Sequence, residues 1–116
     1  MLRNMFARSQ NSPVKSLTPR DYQEQFGAGA AHFLLDVRTV SEFTDARLAA
    51  SVNIPLNQLP AHTSQLPKDQ PIIVVCRSGS RSRHAAQMLT QAGLSDVYNL
   101  QGGLLAWARH GNPLER

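Results

Sequence analysis

The chain has 116 residues, with twelve basic and eight acidic side chains, a net charge of +4 and a single cysteine. That length suits one domain with a real core, and no apolar run approaches the length of a membrane span. One cysteine excludes an internal disulfide, a two-cysteine redox cycle within the chain and cysteine-based zinc sites, and His32, His62, His84 and His110 are too far apart to pair, so neither metal nor cofactor is expected.

Residues 1–15 hold Arg3, Arg8 and Lys15 with no acid, and they lack a continuous apolar segment. The expectation is a flexible basic tail rather than a signal peptide, a domain over 16–116 and a cytoplasmic setting. Beyond the tail the charge nearly balances, and Arg77, Arg81 and Arg83 concentrate what remains. Aromatics are few and scattered, so the charge reads as an anion site, with no nucleic-acid stripe and no membrane face.

In chain order, "SLTPRDYQEQFGAG" predicts a helix capped by Thr18, entered at Pro19 and stopped at Gly27. "HFLLDV", 32–37, predicts a strand ending on an acid. "SEFTDARL" predicts a short helix with Ser41 as its cap, and "SVNIP", 51–55, a short strand closed by proline. Residues 56–70 read as a helical turn and then loop. "PIIVVC", 71–76, is apolar at successive positions, as a strand buried on both faces requires. Ala85, Met88, Leu89 and Ala92 then mark a helical face that Gly93 ends. "DVYNL", 96–100, predicts a strand, and Gly102-Gly103 a turn into the helix "LLAWARHG". Strands alternating with helices at this spacing imply an α/β domain on a mainly parallel sheet.

The chemistry concentrates in "CRSGSRS", residues 76–82. Ligands of parallel α/β sheets bind beyond the strand carboxyl ends, and here a thiol sits at that place, before a helix N-terminus. Gly79 permits a tight loop whose N–H groups turn inward and cradle an anion. A helix terminus in a favourable geometry lowers a thiol pKa by roughly 1.5 units, from about 8.5, leaving Cys76 largely ionised at neutral pH. An inert buried cysteine would not need three arginines around it.

The segment resembles the active-site loop of rhodanese-type sulfurtransferases, C-R-x-G-x-R. "LLDVRTVSEF" (34–43), "VNIP" (52–55) and "NLQGGLLAWARHGNP" (99–113) resemble further segments of that family in the same order, across about residues 16–113. The resemblance implies a mainly parallel five-stranded sheet with helices on both faces. It implies a Cys76 persulfide formed from a donor such as thiosulfate and passed to cyanide or a thiol. Arg77 and Arg81 are then candidates for the donor's sulfonate, with Ser78, Gly79, Ser80 and Ser82 completing the cradle. Arg81 closes the loop, with Asp36 as a candidate partner, while Asp36 and Arg38 could equally be a plain structural pair.

One stretch departs from the family. Where G-H-I-P-G-A is frequent, this chain has "ARLAAS", 46–51, which leaves the local loop shape and any contact made there open. The same fold also houses phosphatases, whose loop is one residue longer; the C-x4-R spacing from Cys76 to Arg81 leaves room for one extra sulfur but not for a phosphoryl group. Two non-enzymatic alternatives remain, a protein-to-protein sulfur relay and a docking module that keeps only the fold.

Overall fold

The computed structural model describes residues 14–116. Of the tail, Arg3 and Arg8 lie outside the described residues; Lys15 belongs to the domain, in a strand the sequence did not reveal. In chain order the elements are β1 (Lys15–Leu17), α1 (Pro19–Phe26), β2 (Phe33–Asp36), α2 (Val40–Asp45) and β3 (Val52–Asn53). Two 3₁₀ turns follow, Leu56–Ala61 and Thr63–Gln65, and then β4 (Ile72–Val75), α3 (Ser80–Gln91), β5 (Val97–Leu100) and α4 (Gly103–Arg109).

All five strands are parallel, in the spatial order β1-β5-β4-β2-β3. β4 is central, and its four residues are buried, as the unbroken apolar run required. Its side chains alternate between two cores. Ile72 and Val74 pack with Leu35, Ala85, Ala86, Leu89 and Val97 under α3 and the first 3₁₀ turn. Ile73 and Val75 pack with Tyr22, Phe26, Leu100, Leu104 and Trp107 under α1 and α4. Helices therefore cover both faces. No helix among the described residues is long and apolar enough to cross a membrane.

Local chemistry explains the boundaries. Thr18 and Asp21 form a reciprocal capping box at α1, with Pro19 entering the helix. α2 is capped by Thr39, not Ser41: Thr39 accepts from the Glu42 N–H at 3.2 Å while Glu42 accepts from the Thr39 N–H at 3.0 Å. The T-x-x-E spacing carries that signal, and Ser41 falls inside the helix. The buried face of α3 is Ser82, Ala85, Ala86, Leu89 and Thr90. Ala92 is exposed, and Gly93 follows the helix at φ +101°. β1 escapes sequence patterning because it has three residues, of which only Leu17 is buried. It is held as an edge by pairing with β5 and by a 3.0 Å Lys15–Asp96 ion pair.

The departing stretch 46–51 is clipped by the C-terminal end of the chain. Arg47 and Glu115 exchange backbone hydrogen bonds of 2.9 and 2.8 Å. Ala46 is extended, a conformation that needs no glycine, whereas Ala50 sits at φ +65° and bears the strain that glycine would avoid.

Candidate active site

Cys76 follows β4 directly, at the carboxyl end of the central strand. Four residues later α3 begins, and the N-terminus of α3 has no side-chain cap. The sulfur takes that role. It accepts from the Ser82 N–H at 3.3 Å, which is the third residue of the helix, and from the Gly79 N–H at 3.1 Å. The Ser82 hydroxyl lies 3.3 Å from the same sulfur. Gly79 turns the chain with φ +101°, a left-handed conformation that bends the loop around the thiol.

Burial alone would push the Cys76 thiol up. The Ser82 hydroxyl, and the N–H groups of Ser82, Gly79 and Ser78, outweigh it and bring the pKa below the ordinary cysteine value. The residue is only 1% exposed, and its sulfur is held in a close ring of donors.

The loop's carbonyls are turned outward by α4. Leu104 and Leu105, in its first turn, donate to the carbonyls of Cys76 and Arg77, each at 3.0 Å. A Cβ on Gly103 would stand 2.5 Å from the Arg77 carbonyl oxygen, which is why only glycine fits. Gly102-Gly103 thus supports the loop as well as turning the chain. Trp107 packs in the core and donates to the Pro113 carbonyl at 2.8 Å.

One residue that sequence reasoning missed fixes the loop from the β5 side. Asn99, 4% exposed, accepts from the Ser82 hydroxyl at 2.5 Å and donates to the Gly79 carbonyl at 3.3 Å. The single hydroxyl proton of Ser82 therefore has two acceptors, Asn99 and the sulfur. The available signal was an asparagine in the middle of a strand, where a polar side chain facing the core needs partners.

The arginines do not converge as the sequence suggested. Arg81 directs both terminal nitrogens at Glu42, at 2.8 and 3.0 Å, and not at Asp36. Asp36 is taken by Arg38 through bonds of 2.7 to 3.0 Å, and both are buried. Arg38 also donates to the Ala46 carbonyl, and Asn53 ties the Asp36 and Arg38 carbonyls together. Asp36 and Arg38 are thus a structural pair bracing the end of β2 against β3 and the stretch after α2. The exposed Arg77 makes no side-chain bond among the described residues; it lines a cleft of about 200 Å³ with Glu42, Asp45, Leu104 and Leu105. Arg83 faces a different cleft, together with the exposed Ser78 and Ser80. His84 is exposed.

A thiolate ringed by amides at a strand end, with this sheet order, is accompanied by a family match over residues 18–110 to the rhodanese-like domain. The chain belongs to the rhodanese-like family. Among its relatives, a sulfurtransferase of Allochromatium vinosum is 41% identical over 81 residues, covering 70% of this chain and 76% of the relative. An adenylyltransferase and sulfurtransferase, MOCS3-1, of Zea mays is 36% identical over 84% of this chain but only 22% of its own length. Among solved structures, a thiosulfate sulfurtransferase of Pseudomonas aeruginosa superposes with a TM-score of 0.81 at 27% identity, covering 89% of this chain and 20% of that one. The rhodanese-like assignment and the sulfurtransferase relative support sulfur transfer as the chain's general chemistry.

Proposed function

We propose that the chain moves sulfane sulfur through a persulfide on Cys76, working in the cytoplasm where a lone thiol stays reduced. The observation that carries this reading is the ring of donors from Gly79 and Ser82 around the Cys76 sulfur. Such a ring stabilises a terminal persulfide anion as an oxyanion hole stabilises an oxyanion. The thiolate attacks the outer sulfur of thiosulfate, the S–S bond of the donor breaks, and its electron pair leaves with sulfite. A cyanide or thiol acceptor then takes the outer sulfur and restores the thiolate, which makes the kinetics ping-pong. Arg77, with no ionic partner among the described residues, is our candidate for meeting the donor's sulfonate.

A protein-to-protein sulfur relay is the second reading. It is favoured by the commitment of Arg81 to Glu42, which takes one loop arginine away from a small anion, and by likeness to one part of the longer maize protein. The docking-module alternative does not explain why the loop activates a thiol.

The test is intact mass after incubation with thiosulfate, or with a persulfide-loaded desulfurase, for the wild type and Cys76→Ser. The expected gain is about one sulfur, removable by cyanide and absent from the variant. Loading by the desulfurase alone selects the relay. Failure of both donors to load Cys76 overturns sulfur transfer.

A further inference from the structure

The charge around the Cys76 loop is not what three neighbouring arginines suggest. The Glu42 carboxylate holds both terminal nitrogens of Arg81 and is itself fixed by Thr39, through the Thr39 N–H at 3.0 Å and its hydroxyl at 3.1 Å. Arg81 is therefore positioned and neutralised at once. Glu42 also lines the cleft that Arg77 lines, and exposed Asp45 stands on the same wall. An anion approaching Arg77 meets one uncommitted guanidinium and one uncommitted carboxylate, Asp45, because Glu42 is offset by Arg81 and Arg38 by Asp36.

On the sulfur-transfer reading, we propose that Glu42 is a selectivity residue for donor charge. It withdraws Arg81 from the donor and leaves Arg77 facing the carboxylate of Asp45, so that the site discriminates against dianionic donors in favour of sulfane donors carrying one charge or none. Coulomb interaction scales with the charge of the donor, so withholding the Arg81 cation costs a dianion twice as much as a monoanion, and the Asp45 carboxylate opposes it in the same proportion. Glu42 is a positioning residue for Arg81 and does not touch the transferred sulfur.

Two donors with the same reacting group separate the charge effect from the fold. Thiosulfate is a dianion that releases sulfite. Methanethiosulfonate is a monoanion that releases methanesulfinate by the same attack on its outer sulfur, leaving the same Cys76 persulfide. The experiment compares kcat/KM for the two donors, with cyanide as acceptor, in the wild type, Glu42→Gln and the double variant Glu42→Gln/Arg81→Gln. Glutamine keeps an oxygen to accept from Thr39, so the α2 cap is retained.

The expected result for Glu42→Gln is a rise of about tenfold for thiosulfate and about threefold, its square root, for methanethiosulfonate. In the double variant the thiosulfate gain shrinks, because the released guanidinium is gone. Asp45→Asn, at an exposed residue outside the ion pair, is expected to favour thiosulfate in the same direction by about twofold, and it supplies the measurement if Glu42→Gln does not fold. An equal change for both donors in Glu42→Gln, or an unaltered donor ratio in Asp45→Asn, overturns the selectivity and leaves Glu42 with a structural role. Wild-type Cys76 that gains no sulfur from either of these donors or from a persulfide-loaded desulfurase overturns the sulfur-transfer reading, and the selectivity with it.

Discussion

The two flanks of the Cys76 loop are built from different chemistry. On the β2 side ion pairs lead: the Asp36–Arg38 pair is buried, and the Glu42–Arg81 pair is about one-third exposed. On the β5 side the groups that hold the loop are neutral: Asn99 clasps Ser82 and Gly79, and Gly102-Gly103 lets α4 come against the loop. The difference separates two tasks. Charge braces the scaffold at a distance from the sulfur, while neutral donors touch the sulfur and stabilise its anion. A thiolate surrounded by free cations would bind anions of every kind, whereas one held by N–H and O–H dipoles is stabilised without adding net charge at its mouth.

The largest effect should come from breaking the buried charged pair. Asp36→Ala leaves the Arg38 guanidinium enclosed without its carboxylate, and the expected loss is about 3–5 kcal/mol in urea unfolding. A variant as stable as the wild type would mean that the β2 flank is braced by hydrogen bonds alone.

The neutral flank should yield less stability and more chemistry. Ser82→Ala removes the hydroxyl that opposes the cost of burying the Cys76 anion. The midpoint of the pH profile for iodoacetamide alkylation should rise by about one unit, a single hydrogen bond to a charged group. An unmoved midpoint would show that the backbone amides suffice and that Ser82 serves Asn99 instead.

The smallest effect belongs to the exposed pair and appears only in acid. The Arg81 guanidinium, against the opposing pull of partial burial, holds the Glu42 carboxyl at about 2, below its usual 4.5. Because the folded pKa is the lower one, the pair's contribution is complete above pH 4.5 and disappears as pH falls through about 2. Stability of the wild type and Glu42→Gln, measured by urea unfolding at pH 6 and pH 2, should differ at pH 6 by less than about 1 kcal/mol and converge at pH 2. A gap that persists in acid would assign the difference to the α2 cap rather than to the ion pair.

Sequence reading located Cys76, the tight turn at Gly79, the amide cradle and the alternation of strands and helices. Those features are local: a strand of buried residues, a glycine that permits a positive φ and a helix start all lie within a few positions of one another. The order and partners of charged groups were less legible. Arg81 meets Glu42 across 39 residues, and nothing in the spacing selects Glu42 over Asp36, which only the geometry of β2 and α2 assigns to Arg38. The partners of Asn99 were hidden for the same reason, since they depend on β5 lying beside β4.

By itself, then, the sequence determined every element type but β1, the family resemblance and the candidate nucleophile, because backbone propensity, turn chemistry and thiol reactivity are written in consecutive residues. Tertiary structure alone decided which arginine is committed, which serine faces the sulfur and which asparagine holds it. Hydrogen bonds and ion pairs act over about 3 Å, and chain segments far apart in sequence come within that distance only when parallel strands bring their carboxyl ends to one edge of the sheet.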